Sequence, residues 1–207
     1  MKLFGNPFST CTRKVMLTLN EKNTPFEFLK IDLVQGEHKQ PAYLDKQPFG
    51  VVPFLDDKGF HIYESRAIIR YLDRRLSGVS LTPHDEHQFG RMEQWMSVEQ
   101  SYFATPAVQI AKELVRAPML GNQPNMDIVE QARPKVEHAL NVADKHLTKN
   151  AYFAGEHFSL ADITWMPYVD YLFAAKLDNL INDRDSMKAW WERVSHRPTW
   201  AKVKSFK

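Results

Sequence analysis

The chain has 207 residues, of which 43% are hydrophobic and 25% charged, and its formal net charge is +2. This length allows one large domain or two small ones, and the composition favours a buried core over a disordered chain. The charge is too small, and the basic residues too scattered, for a nucleic-acid-binding surface. We find no signal peptide and no apolar run that would cross a bilayer, so we expect no membrane partner. The single cysteine cannot form an internal disulfide, which fits a reducing compartment, and we expect a cytoplasmic protein.

The first part of the chain alternates strand and helix patterns. The predicted elements are strands at 3–4, 26–31, 53–55 and 60–63, and helices at about 10–21 and from Ser65 onward. The polar residues 56–59 between the last two strands predict a hairpin turn. The order strand–helix–strand followed by strand–strand–helix is that of a thioredoxin-like domain, which we place at 1–78.

The periodicity changes after Leu76 and is helical to the end of the chain. The segments 77–78 and 82–85 predict a linker. Apolar residues then recur at helical spacing in three stretches, namely Phe89, Met92 and Met96; Ile128, Ala132, Val136, Leu140, Ala143 and Leu147; and Met187, Trp190, Trp191 and Val194. Pro134 should delay the start of the second helix or kink it, and Ser159 and Asp162 have capping-box spacing. We therefore expect an all-helical domain over 86–207, which makes the fold α/β plus all-α.

The segment 7–13 (Pro-Phe-Ser-Thr-Cys-Thr-Arg) joins the first strand to the first helix. A strand-to-helix turn presents free backbone N–H groups and the positive end of a helix dipole, which favour an anion such as a thiolate. Ser9 is placed to donate its hydroxyl hydrogen at that position, although a serine here also serves as an ordinary N-cap. No His or Asp lies nearby in sequence to activate Ser9 as a nucleophile.

Two later segments add to this pattern, Val51-Val52-Pro53 and Glu64-Ser65-Arg66. With segment 7–13 they make the sequence resemble the glutathione transferases, most of all the phi-like group whose working residue is serine. The resemblance covers nearly the whole chain. It implies a thioredoxin-like domain that binds glutathione as co-substrate, and an all-helical domain that lines a pocket for a hydrophobic electrophile. It implies a detoxifying transferase that conjugates the two, with no metal.

The resemblance also implies roles for individual residues. The Ser9 hydroxyl would bond the glutathione sulfur and be the catalytic group. A cis Val52–Pro53 bond would let the Val52 backbone pair with the cysteine moiety. The γ-glutamyl end would be bound by Glu64 and Ser65, and the glycine carboxylate approached by His38 and Lys39. The glutathione-binding set is therefore Ser9, His38, Lys39, Val52, Pro53, Glu64 and Ser65.

Three further expectations follow from the resemblance. Phe8, Tyr102 and Phe103 would be walls of the electrophile pocket. Phe49 would insert into the helical domain of a second copy and anchor a homodimer, near Trp95 and Met96. Val51 stands where the family usually has Gln, which removes one expected hydrogen bond to glutathione, worth about 1 kcal/mol.

Two alternative functions remain open at this point. In the first, Cys11 supports thiol transfer or peroxide reduction. It lies two residues beyond Ser9, which occupies the position where cysteine-using relatives carry their thiol, and a small buried side chain is its simpler role. In the second, the protein binds apolar ligands without catalysis, an alternative that Val51 favours slightly.

Overall fold

The computed structural model describes residues 1–206 and divides them into two compact units. The first unit comprises Met1–Leu81 together with the chain end from Arg197 onward, and the second comprises Thr82–His196. The first is a mixed sheet with helices and the second is helical, so the predicted fold class is confirmed.

The first unit is built on a four-stranded sheet in the order β2-β1-β3-β4. Its elements up to residue 75 are β1 (Lys2–Gly5), α1 (Thr10–Glu21), β2 (Glu27–Lys30), a 3₁₀ turn (Glu37–Lys39), α2 (Pro41–Leu44), β3 (Phe54–Asp57), β4 (Phe60–Tyr63) and α3 (Ser65–Arg75). Strand β1 pairs parallel with β2 and antiparallel with β3, and β3 pairs antiparallel with β4. Helices α1 and α3 pack together, with Val15, Leu19, Ile68 and Leu72 fully buried.

The β3–β4 hairpin is tighter than the sequence indicated. Asp56 and Asp57 belong to β3, and only Lys58 and Gly59 form the turn. Both have positive φ, 54° and 94°, which is the backbone twist that a two-residue hairpin requires and that glycine adopts readily.

A buried ion pair joins the end of α1 to α3. Lys22 Nζ lies 2.8 Å from Asp73 Oδ1, and both side chains are almost fully buried. Lys22 also donates to the carbonyl of Val79, and Asp73 accepts the N–H of Leu81, so the pair fixes the chain that follows α3. Breaking a buried pair on one side typically costs about 3–5 kcal/mol, so this contact makes the segment an integral part of the unit.

The second unit consists of helices. They are α4 (Glu86–Val98), a π-helical segment (Glu99–Phe103), α5 (Ala104–Ala111), a second π-helical segment (Lys112–Arg116), α6 (Ala117–Met119), α7 (Met126–Leu147), α8 (Leu160–Ala174), α9 (Asn179–Asn182) and α10 (Asp185–Ser195). Pro134 lies inside α7 and does not delay its start, because the helix already begins at Met126. No helix among residues 1–206 combines the length and the apolar character that a membrane crossing requires.

The predicted capping box at the start of α8 is present, and its Asp162 is the centre of a buried hydrogen-bond network. The Asp162 carboxylate, fully buried, accepts the backbone N–H and hydroxyl of Ser159 at 2.8 and 2.9 Å. It also accepts the N–H of Phe153 at 3.1 Å and the indole N–H of Trp190 at 2.8 Å. One carboxylate therefore joins the start of α8 both to α10, through Trp190, and to the segment that precedes α8, through Phe153.

The chain end departs from the predicted domain boundary. We placed 86–207 in one helical domain, whereas the residues from Arg197 onward belong to the first unit and form α11 (Pro198–Ser205) against α1. Arg197 makes a two-pronged ion pair with Glu21 at 2.8 and 2.7 Å, and Thr199 donates to the same carboxylate. Trp200 is fully buried.

Candidate functional site

The strand register brings the predicted site segments to one edge of the sheet. Phe4 near the end of β1 pairs with Phe54 at the start of β3, and Phe54 pairs with Tyr63 at the end of β4. The turn before α1, the segment before β3 and the start of α3 therefore all emerge at this edge. The carboxyl end of β2 lies there too, because Gly5 pairs with Lys30.

The turn before α1 holds Ser9 at the N-cap position, with extended backbone. Its Oγ accepts the N–H of Thr12 at 3.2 Å, so its own hydroxyl hydrogen is left to donate outward. Arg13, which is buried, donates from Nε to the carbonyl of Pro7 at 2.8 Å and thereby ties helix α1 to the turn that precedes it. The result is a half-buried hydroxyl donor beside the unpaired N–H groups of a helix start.

Asn6 also shapes this turn, and our sequence analysis did not single it out. Its side-chain carbonyl accepts the N–H of Phe8 at 3.0 Å and its amide donates to the carbonyl of Ile31 at 3.0 Å. The Asn-Pro pair at a strand end is the local signal, since Asn side chains close turns onto the backbone two residues ahead.

The segment before β3 contains the Val52–Pro53 bond, which is cis. The Val52 side chain packs against the cluster of Ile31, Tyr43 and Phe54, which leaves its backbone as the group at the sheet edge. Val51 has an exposed side chain.

Glu64 and Ser65 lie at the start of α3. Ser65 is the first helical residue and is buried, so Glu64, not Ser65, occupies the N-cap position. Glu64 has an exposed side chain, a positive φ of 69° and no side-chain capping bond. A left-handed backbone at a non-glycine residue is costly, and such residues cluster at ligand sites. The first N–H groups of α3 and an exposed carboxylate thus belong to adjacent residues, which suits a ligand carrying both a carboxylate and an ammonium group.

His38 and Lys39 lie in the 3₁₀ turn, with His38 half-buried and Lys39 exposed. Lys39 Nζ lies 3.3 Å from the carbonyl of Phe49. Gly50 approaches the same turn so closely that a Cβ would lie 2.8 Å from the carbonyl oxygen of His38, and its φ is +57°. The loop before β3 therefore packs directly on the turn that carries His38 and Lys39, and Gly50 allows this approach.

The aromatic residues expected around an electrophile have different environments. In the first unit Phe8 is 50% exposed, and in the second unit Tyr102 is 64% exposed. Phe103 has no exposed surface and stacks on Trp165 with ring centroids 4.4 Å apart. The structure thus places Phe103 in the core of its unit, where it offers a ligand no surface.

The residues expected at a dimer contact also differ in exposure. Phe49 is 66% exposed, with its ring edge 5.9 Å from Tyr63. Trp95 and Met96 are buried, and Trp95 packs on Trp165 and His146 inside the second unit.

Cys11 is the second residue of α1 and half-buried. Within residues 1–206 no group of three or more His, Cys, Asp or Glu side chains is arranged to hold a metal ion.

Comparisons with known proteins agree with this geometry. The family model for the glutathione S-transferase N-terminal domain matches residues 3–80, and the model for the C-terminal domain matches 103–198. Glutathione S-transferase F13 from Arabidopsis thaliana is 38% identical over 206 residues, which are 98% of this chain and 94% of the relative.

Two solved structures share the whole fold. Glutathione transferase F7 from Populus trichocarpa matches with a TM-score of 0.93 at 36% identity and covers 99% of both chains. Glutathione S-transferase I from maize, solved with an atrazine glutathione conjugate, matches with a TM-score of 0.89 at 30% identity, over 99% of this chain and 96% of that one. The chain belongs to the glutathione S-transferase family, and its relatives are of the phi class.

Proposed function

We propose that this protein is a glutathione transferase in which the Ser9 hydroxyl stabilises the glutathione thiolate for attack on a hydrophobic electrophile. The observation that carries the proposal is the geometry of Ser9. Its oxygen already accepts the N–H of Thr12, which directs the hydroxyl hydrogen outward at a helix N-terminus. A thiolate there receives one hydroxyl hydrogen bond and the favourable end of the helix dipole.

The magnitudes show what this stabilisation contributes. A free thiol with a pKa of about 8.5 is about 3% ionised at pH 7, and a drop of about two pKa units raises that fraction roughly 25-fold. The intrinsic nucleophilicity of a thiolate falls by about tenfold over the same drop. Ionisation alone therefore gives only a few-fold gain, and the rest of the acceleration comes from holding the electrophile beside the sulfur.

The proposed glutathione site uses the sheet edge described above. The γ-glutamyl carboxylate is bound by the helix start at Ser65 and the γ-glutamyl ammonium by Glu64. The backbone of Val52, beside Pro53, pairs with the cysteine moiety. The glycine carboxylate approaches the cationic side of the turn at His38 and Lys39. Support for this arrangement is the register that brings the segments to one edge.

The electrophile contacts and the dimer are proposed from exposed aromatic side chains. Exposed aromatic surface at Phe8 and at Tyr102 suits an apolar electrophile, and each is a proposed contact. The exposed ring of Phe49 supports a homodimer, because solvent-exposed aromatic anchors are typical of interface centres. A lone cysteine supports a cytoplasmic location, and detoxification is the role that fits conjugation of apolar electrophiles.

The test of the proposed function is conjugation of glutathione to an aryl halide by the wild type and by Ser9→Ala. Removal of the hydroxyl should reduce the ionised fraction of bound glutathione at pH 7 by up to about 25-fold, and should lower the turnover by at least the few-fold gain that ionisation supplies. Ser9→Thr keeps both the cap and the hydroxyl and is the matched control, with activity near the wild type.

The same assay separates the alternative use of Cys11. Cys11→Ala should conjugate normally, because its thiol takes no part in the proposed step. A dead Cys11→Ala together with a nearly normal Ser9→Ala would reverse the assignment, and a wild type without conjugation would reject the transferase function.

A further inference from the structure

The peptide group of Val51 is held on both sides by side chains from the α2 segment. Tyr43 donates its hydroxyl to the carbonyl of Val51 at 2.8 Å. Gln47 accepts the N–H of Val51 through Oε1 at 3.3 Å. Both backbone polar groups of the residue directly before Val52 are therefore bonded to side chains, and neither is bonded in the sheet.

Both of these side chains are buried and have little freedom. Tyr43 is 5% exposed and packs in the cluster with Ile31 and Phe54, on which Val52 also packs. Gln47 is fully buried, and its backbone N–H donates to the backbone carbonyl of Tyr43 at 2.9 Å. Burial raises the pKa of the Tyr43 hydroxyl, which therefore stays protonated and able to donate at neutral pH.

The cost of burying Gln47 shows that its carboxamide serves the loop. Nε2 is buried, and within the described chain it has no hydrogen-bond acceptor. A buried donor without a partner lowers stability, and an apolar side chain of the same size would avoid this cost. What the amide gives in return is its single side-chain bond, to the N–H of Val51.

We propose that Tyr43 and Gln47 are positioning residues for glutathione, which fix the Val51 peptide and thereby the backbone of Val52 that pairs with the cysteine moiety. This inference rests on the proposed function. The Val51 side chain is exposed and gives the loop little packing of its own, so the two hydrogen bonds are the direct restraint on the Val51 peptide itself. A restrained loop binds more tightly because less conformational entropy is lost on binding.

The test is Tyr43→Phe, which removes only the hydroxyl, with Tyr71→Phe as the matched control. Tyr71 also donates its hydroxyl within the first unit, to Asp57 at 2.8 Å, but it lies on α3 away from the Val51 loop. We expect the KM for glutathione to rise about three- to tenfold in Tyr43→Phe, the effect of one lost hydrogen bond. The KM for the electrophile and kcat should stay within about twofold of the wild type.

Gln47→Met is the second variant, because it removes the acceptor at similar volume and leaves no buried polar atom. Gln47→Met should also raise the KM for glutathione. A purely structural role predicts instead a lower melting temperature with an unchanged KM for glutathione in the folded fraction, and that result would overturn the inference.

Measurements on the wild type separate this inference from the function on which it rests. A wild type that binds and conjugates glutathione, with an unchanged KM in Tyr43→Phe, overturns the positioning role alone. A wild type that fails to bind glutathione in calorimetry overturns both.

Discussion

Removal of the Asp162 carboxylate should strongly destabilise the second unit. The carboxylate accepts four hydrogen bonds, two on Oδ1 from Phe153 and Trp190 and two on Oδ2 from Ser159. In Asp162→Ala, the N–H groups of Phe153, Ser159 and Trp190 lose this acceptor in a buried site, while the Ser159 hydroxyl can rotate to another partner. A buried donor without a partner costs about 1–3 kcal/mol, so the three together cost about 6 kcal/mol.

Asp162→Asn is the matched variant, because it keeps one oxygen. That oxygen can still accept the N–H groups of Phe153 and Trp190, and the new NH₂ group can donate to the Ser159 hydroxyl. Only the backbone N–H of Ser159 then faces another donor, at a cost of about 2 kcal/mol. The geometry therefore predicts that Asp162→Ala lowers the free energy of unfolding about three times as much as Asp162→Asn does. Since a domain of this kind is stable by only about 5–15 kcal/mol, the Ala loss is a large part of the total.

The assay is equilibrium unfolding in urea, followed by tryptophan fluorescence at pH 7, with the m-value checked for two-state behaviour. Equal losses in the two variants would show that the charge, not the hydrogen-bond geometry, determines the contribution of Asp162. A loss below about 1 kcal/mol in Ala would refute the reasoning altogether.

Three further predictions concern assembly, affinity and pH. Phe49→Ala should weaken a dimer about thirtyfold in sedimentation experiments, whereas Phe60→Ala, which truncates another exposed aromatic, this one on β4, should not; a wild-type monomer at micromolar concentration would reject the dimer. Val51→Gln should tighten glutathione up to about tenfold in calorimetry, since the side chain at 51 is exposed, and equal or weaker affinity would show that another group has replaced the amide. Burial lowers the pKa of His146 from 6.5, so the unfolded chain takes up this proton first as the pH falls, and the unfolding free energy should decline below about pH 6.5 until the folded pKa is passed. His146→Gln should flatten that decline in urea titrations at pH 7.5 and 5.5, and an unchanged slope would contradict it.

The sequence predicted the elements whose signals are local. The bounds of α1 agree with the prediction because the N-cap Ser9 and the apolar spacing lie within the helix itself. The capping box at Ser159 was found for the same reason. The expectation that Pro134 delays the start of α7 was wrong, because a proline removes a single N–H donor and the apolar face of the helix still packs on both sides of it.

Features that depend on distant pairing were not visible in the sequence. We assigned the chain end to the helical domain, yet α11 packs in the first unit, where Arg197 and Thr199 bond to Glu21 near the other end of the chain. Tyr102 and Phe103 looked equivalent, but the π-helical segment that carries them leaves one exposed and the other buried. The gathering of the site segments at one edge depends on strand register, which periodicity does not specify. The resemblance to glutathione transferases, and not the pattern, gave the site residues their roles.

The return of the chain end to the first unit has a consequence for synthesis. Until residues 197–206 have been made, the face of α1 on which α11 packs is uncovered, and Phe26 and Phe28 lack their contacts with the ring of Phe206. The first unit to be translated is therefore the last to be completed. A chain that stopped between Leu81 and Arg197 would lack part of the first unit even though all of residues 1–81 had been made correctly. A tag or fusion partner attached after α11 is therefore joined to the first unit, not to the second.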